Sequence, residues 1–184
     1  MTPKAADTTL DRDRWEAAAL DALERGGLAA VAVEPLARAL GVTKGSFYWH
    51  FGSRQELIAA TVARWERLHV DGPLERLAPV PDPRERLEAL LAAAGGKPPS
   101  IFLRMLDAVD EPVVAAAVAR AAQRRVDFLA QAYRELGLSR PRARRQALLA
   151  YSAYVGRAHL SRDAPEVLGD ERALARHIAE LLIP

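Results

Sequence analysis

Gly41-Val-Thr-Lys-Gly-Ser-Phe-Tyr-Trp-His-Phe51, followed by Ser53-Arg-Gln-Glu-Leu57, decides the fold of this chain. Gly41 is a helix stop, because only glycine enters the left-handed region without a steric penalty. Thr43 is then placed to cap a short helix running to about Trp49. Ser53 and Glu56 have the spacing of a capping box, which opens a long helix from Ser53 to about Val70. Looking backward from Gly41, Val33, Leu36, Ala37 and Leu40 recur at helical spacing, and Pro35 falls in a first turn whose amides have no intrahelical partner. Two short helices meeting at a glycine-containing turn, the second polar at its start, give the outline of a helix-turn-helix.

The same signals organise the rest of the chain. Asp13 and Glu16 can form a capping box, and Trp15, Ala18, Ala19, Ala22 and Leu23 mark the inner stripe of a first helix that Gly26-Gly27 stops. Gly72-Pro73 and Pro79, Pro81 and Pro83 interrupt the pattern, which places a boundary near residue 72. Asp82-Pro83-Arg-Glu85 begins a helix ended by Gly95-Gly96-Lys97-Pro98-Pro99, a loop without the spacing of a phosphate-binding motif. Helices over 100–109, 110–136, 139–160 and 171–182 follow. The expected class is all-α with about nine helices: 1–72 forms the helix-turn-helix domain with its connecting fourth helix, and 73–184 forms a second domain.

Composition narrows the function. Half of the 184 residues are hydrophobic and 27% are charged, enough for a real core. There is no Cys, hence no disulfide, thiolate metal site or cysteine nucleophile. No stretch approaches the roughly 18–20 apolar residues of a membrane span and no signal peptide is legible, so the expectation is a cytoplasmic protein with no membrane partner. His50, His69, His159 and His177 are isolated from one another and from acids at ligand spacing, and the serines lack nucleophile-elbow glycines; neither an enzyme, a metal site nor a cofactor is expected. Residues 1–72 carry nine Lys/Arg against ten Asp/Glu, so this is no strongly basic nucleoid protein. Arg25–Arg64, however, holds five bases and two acids.

The Gly41–Phe51 run with Ser53–Leu57 closely resembles the DNA-binding domain of TetR-family transcriptional regulators. The resemblance rests on motif over residues 11–60 and on helix number, order and length beyond. It implies a homodimer whose second helix-turn-helix segment enters the major groove of an inverted-repeat operator, with helices five to nine forming a ligand-binding and dimerisation domain. The chain departs from the pattern at Val31 and Ala32, where many members carry a Thr or Ser that caps the second helix and touches a phosphate. Residue chemistry agrees with the resemblance. Thr43 and Lys44 suit phosphates, Gly45 permits close backbone approach, Ser46 reads a base edge, and Tyr48 suits a phosphate or a thymine methyl. Trp49 and His50 end the helix near the sugar-phosphate backbone, and Arg54 joins the free amides of the next helix to favour an anion. Phe47 and Phe51 should be core, holding the recognition helix at its angle.

Among helices four to eight, Trp65, Phe102, Met105, Phe128 and Tyr151 are candidate lining for a small-molecule effector, with Arg104, Asp107 and Gln131 as polar anchors. Leu149 and Tyr154 on one late helix, with Leu174, Ile178 and Leu181 on the last, are candidates for a four-helix dimer interface. The expected function is a ligand-responsive regulator, a repressor released by its effector. The alternative is a ligand-binding or protein-interaction module that keeps the helix-turn-helix only as scaffold.

Overall fold

The computed structural model describes residues 5–95 and 100–184, with side chains described outside 5–11 and 93–100; the loop expected at 96–99 lies outside the described residues. Every regular element among the described residues is helical: α1 (Ala5–Gly26), α2 (Val33–Leu40), α3 (Lys44–Tyr48), α4 (Arg54–Glu66), α5 (Gly72–Leu77), α6 (Pro83–Gly95), α7 (Ser100–Asp107), α8 (Pro112–Glu135), α9 (Arg140–Asp163), α10 (Pro165–Leu168) and α11 (Glu171–Leu182). The two additions to the expected set are the short α5 and α10.

The chain divides into two compact units, the first reaching to Leu68 and including Ser100–Val118, the second made of the remainder. In the first, α1 packs on α2, α4 and α7. Trp15, Leu23, Leu36, Phe47, Phe51, Leu57 and Ile58 fill its core. Val31 is also fully buried there, so the departure from Thr or Ser at that position supplies apolar packing. In the second, Leu87, Leu91, Val126, Leu129, Tyr133, Ala147 and Leu182 form the core. On α8, Val126 and Tyr133 are buried, whereas Phe128 is half-buried.

Local chemistry accounts for the helix ends. Gly41 adopts φ 69°; its N–H reaches Arg38 O at 3.2 Å and the Val42 N–H reaches Ala37 O at 3.0 Å, closing α2 with a Schellman pair. Gly137, at φ 92°, closes α8 in the same way, with Leu138 N–H donating to Tyr133 O at 3.1 Å. Asp170 caps α11, its carboxylate accepting from the Arg172 and Ala173 amides at 3.0 Å each.

Two boundaries differ from expectation. The first helix does not begin at Asp13 but runs from Ala5, and the Asp13 carboxylate pairs instead with Arg64 of α4. Nor do Gly72 and Pro73 break the fourth helix: Arg67–Asp71 forms a π turn and α5 continues from it, with the proline in the first turn of α5. In a regular α-helix the His69 carbonyl would take the amide hydrogen that Pro73 lacks; here it accepts an Arg125 N–H at 3.0 Å.

Candidate nucleic-acid interface

Helix α3 is little more than one turn, so its position is fixed by side chains more than by its own backbone. Phe47 anchors it from beneath, edge-on to Trp15 with centroids 5.4 Å apart and stacked on Phe51 at 5.5 Å. Both phenylalanines are buried, which makes them core and not base-stacking surface. Tyr48 packs edge-on against Phe47 at 5.2 Å yet remains 59% exposed, and Trp49 is 85% exposed. Thr43, Lys44 and Gly45 are exposed, while Ser46 and His50 are half-buried. A Cβ built on Gly45 would meet its nearest neighbour, Thr43 Oγ1, at 3.6 Å. The fold therefore has room for a side chain at 45, and glycine leaves bare backbone on the outer surface.

Thr43 has extended backbone as a cap should, but its hydroxyl makes no capping bond; α3 starts on the Ser46 N–H bond to Thr43 O at 3.0 Å. The Ser53–Glu56 box forms in modified shape. Ser53 Oγ accepts the Glu56 N–H at 3.2 Å, while Glu56 Oε2 accepts from Gly52 N–H at 2.8 Å. That bond holds the Glu56 carboxyl below its usual pKa range.

Sequence reasoning missed the residue that ties these parts together. Arg12 of α1 donates to the His50 carbonyl at the end of α3, pairs with Glu56 at 3.3 Å and lies over the Phe51 ring at 4.2 Å. One guanidinium thus pins the α3–α4 corner from three sides. Arg54 also acts internally: Nε donates to Val31 O at 2.6 Å and Nη2 to Leu28 O at 2.8 Å. It holds the turn ahead of α2, leaving only its remaining N–H groups for an anion. Glu34, in the first turn of α2, was likewise unmarked, and its carboxylate holds Lys44 Nζ at 2.8 Å. The hydrogen bond and charge of each pull the Glu34 carboxyl down and the Lys44 ammonium up from their ordinary pKa values. No local signal marks such pairs, since they join residues 10 to 44 positions apart.

Residues 17–61 match the family of bacterial regulatory proteins, tetR family. The chain carries a TetR-family domain. Beyond that domain, nearly the full length is similar in fold to three solved structures. One is a candidate transcriptional regulator from Saccharomonospora viridis in complex with choline, 19% identical at TM-score 0.73, covering 95% of this chain and 94% of that one. The second is NalD of Pseudomonas aeruginosa, the secondary repressor of the MexAB-OprM multidrug efflux pump, 22% identical at TM-score 0.62, covering 96% and 95%. The third is the transcriptional regulator FadR from Bacillus subtilis in complex with stearoyl-CoA, 14% identical at TM-score 0.61, covering 93% and 97%. Nearly the whole chain therefore shares the fold of these solved structures, and α2 and α3 are the helix-turn-helix of the matched domain.

The candidate effector residues divide between the two units. Trp65, Phe102 and Met105 are buried in the unit that holds the TetR-type domain, and the Trp65 indole N–H has no hydrogen-bond partner. Phe128 and Tyr151 are half-buried in the other unit. In the first unit an open cleft of about 370 Å³ is lined by Gly27, Leu28, Arg104, Asp107, Asp110 and Glu111. In the second a cavity of about 20 Å³, room for a water molecule, is lined by Leu91, Ala150, Tyr154, Arg157 and Ile178 among others. Neither is lined by the five candidates. Of the dimer candidates, Leu149 and Leu181 are 57% and 68% exposed, Tyr154 and Leu174 are half-buried, and Ile178 packs against its own core. Among the described residues no helix is long and apolar enough to cross a membrane, and no three His, Cys, Asp or Glu side chains cluster as a metal would need.

Proposed function

We propose that the chain is a ligand-responsive transcriptional repressor of the cytoplasm that binds an inverted-repeat operator as a homodimer and is released by a small-molecule effector. Residues 1–72 serve as the DNA-binding part and 73–184 as the ligand-binding and dimerisation part. Thr43, Lys44, Gly45, Ser46, Tyr48, Trp49, His50 and Arg54 are the proposed DNA contacts. The observation that carries the reading is the division of α3 into a buried Phe47 and an exposed surface of Thr43, Lys44, bare Gly45 backbone, Tyr48 and Trp49. An exposed Tyr and Trp beside a lysine, locked in place by Arg12, suit phosphate and groove contacts.

Dimerisation is supported by the apolar side chains that α9 and α11 leave in water, Leu149 and Leu181 foremost. Two recognition helices about 34–36 Å apart, or further if the groove widens, then meet successive major grooves. The effector reading is supported by the choline and stearoyl-CoA named for two proteins of this fold, and the repressor reading by NalD. Helix α4 runs from the Ser53 cap to the π turn where the chain passes into the second unit. An effector that favours one setting of this helix changes the spacing of the recognition helices and so the fit to DNA.

The test is selection from randomised duplex DNA at physiological salt, with a Lys44→Ala/Tyr48→Ala variant as control. Enrichment of an inverted repeat that the folded variant fails to enrich is expected. Equal enrichment by the variant, or none by effector-free wild type, overturns the reading in favour of a binding module with a vestigial helix-turn-helix.

A further inference from the structure

We propose that Glu34 is a built-in competitor for DNA: its carboxylate occupies the Lys44 ammonium that would otherwise meet an operator phosphate, and so lowers the affinity of the recognition helix. The proposal rests on the operator-binding reading above and specifies how its lysine is controlled. Glu34 lies in the first turn of α2, across the glycine turn from Lys44, and the two side chains meet at 2.8 Å with both partners largely in water. Lys44 is the sole lysine between Lys4 and Lys97, so the pair engages the one flexible ammonium of the helix-turn-helix. Arg38, one helical turn beyond Glu34 and exposed, also acts on its carboxylate. The Glu34 carboxylate thus offers Lys44 on the outer side of the motif the negative charge that a phosphate would otherwise supply.

The consequence is an exchange, not a simple addition. When Lys44 turns to a phosphate it leaves Glu34, and the uncovered carboxylate then faces a polyanion or collects a cation from solution. Lysine–phosphate contacts strengthen DNA binding by releasing condensed counterions, at about 0.9 per neutralised phosphate. A lysine already neutralised by its own protein contributes little of that release. Phosphate contacts carry no sequence information, so the damping falls equally on operator and random DNA. With Val31 buried in the core instead of offering a hydroxyl, the motif is left more dependent on base contacts and on engagement of both half-sites.

The experiment measures affinity of purified full-length protein for the selected operator and for a random duplex across a salt series, comparing wild type, Glu34→Gln, Lys44→Gln and the double variant. Glu34→Gln should tighten binding to both duplexes by the same factor, roughly two- to thirty-fold per dimer at low salt. Its log–log salt slope should steepen by up to about 0.9 per protomer. In the Lys44→Gln background the gain should shrink to the part that comes from direct carboxylate–phosphate repulsion, while thermal melting of Glu34→Gln stays within a degree or two of wild type. Unchanged or weaker binding by a folded Glu34→Gln, or a gain undiminished without Lys44, overturns the proposal while the operator-binding reading stands. Failure of wild type to bind any duplex overturns both.

Discussion

Phe47→Ala tests whether the aromatic cluster under α3 is structure or contact surface. The Phe47 ring is fully buried and meets three aromatic neighbours, Trp15, Tyr48 and Phe51, with centroids 5.2–5.5 Å away. Truncating a buried phenylalanine costs about 3–5 kcal/mol, and because α3 spans only five residues its own backbone cannot compensate. At about 2–4 °C per kcal/mol for a chain of this size, the melting transition of the TetR-type unit should fall by about 6–20 °C. Phe47→Leu keeps most of the apolar volume but forfeits the edge-to-face geometry, worth about 0.5–1.5 kcal/mol per pair, and should fall between. Differential scanning calorimetry with a parallel DNA-binding titration distinguishes the cases. If Phe47→Ala melted like wild type and lost only DNA affinity, the ring would be a contact residue and the account of α3 given above would be wrong.

Three further outcomes follow from the packing and electrostatics. The Tyr133 hydroxyl is buried without a partner, and burial pushes its pKa up to about 12; Tyr133→Phe should raise stability by about 1 kcal/mol, or about 2–4 °C in a thermal melt, and a loss of stability would reveal a hydrogen bond served by water or ligand. The Glu34, Glu56 and Asp170 carboxyls sit below their unfolded values of 4.5, 4.5 and 3.8, so the unfolded chain takes up their protons first, and the stability they contribute is present above those values and lost as pH falls through the folded ones. Asp170→Asn keeps a capping oxygen but removes the titration, and in urea melts from pH 6 to pH 3 it should flatten the acid limb; an unchanged limb would remove Asp170 from this account. Leu149→Glu with Leu181→Glu places carboxylates on the proposed dimer surface, so light scattering should report monomers with native circular dichroism, and a persistent dimer would move the interface elsewhere.

What could be read from the sequence was what is settled within about five residues. The Ser53–Glu56 box, the stops at Gly41 and Gly137 and the Asp82 cap, whose carboxylate accepts the Arg84 N–H at 2.8 Å, are short-range bonds, and they mark helix number and order. The Phe47–Phe51 spacing similarly told which side of α3 is buried. Where a local signal had a distant rival, the rival won: Asp13 reads as a cap until Arg64 claims it, and Gly72-Pro73 reads as a break until a π turn and Arg125 accommodate it. The roles of Arg12, Glu34 and Arg54 depend on pairings made only after α1, α2 and α4 have packed. Pocket residues were hardest, because a buried Met105 or Phe102 looks alike in sequence whether it lines a cavity or fills a core.

The three tryptophans have environments as different as a protein can offer: Trp15 and Trp65 are sealed from water, while Trp49 stands almost wholly in it. A dissolved quencher such as iodide therefore addresses Trp49 selectively, and the blue-shifted emission left behind belongs to the two buried rings. Shielding of the quenchable fraction follows occupation of the α3 surface, whereas a red shift of the protected fraction follows opening of the core. The unlabelled chain thus carries separate optical channels for binding and for unfolding, readable in one cuvette.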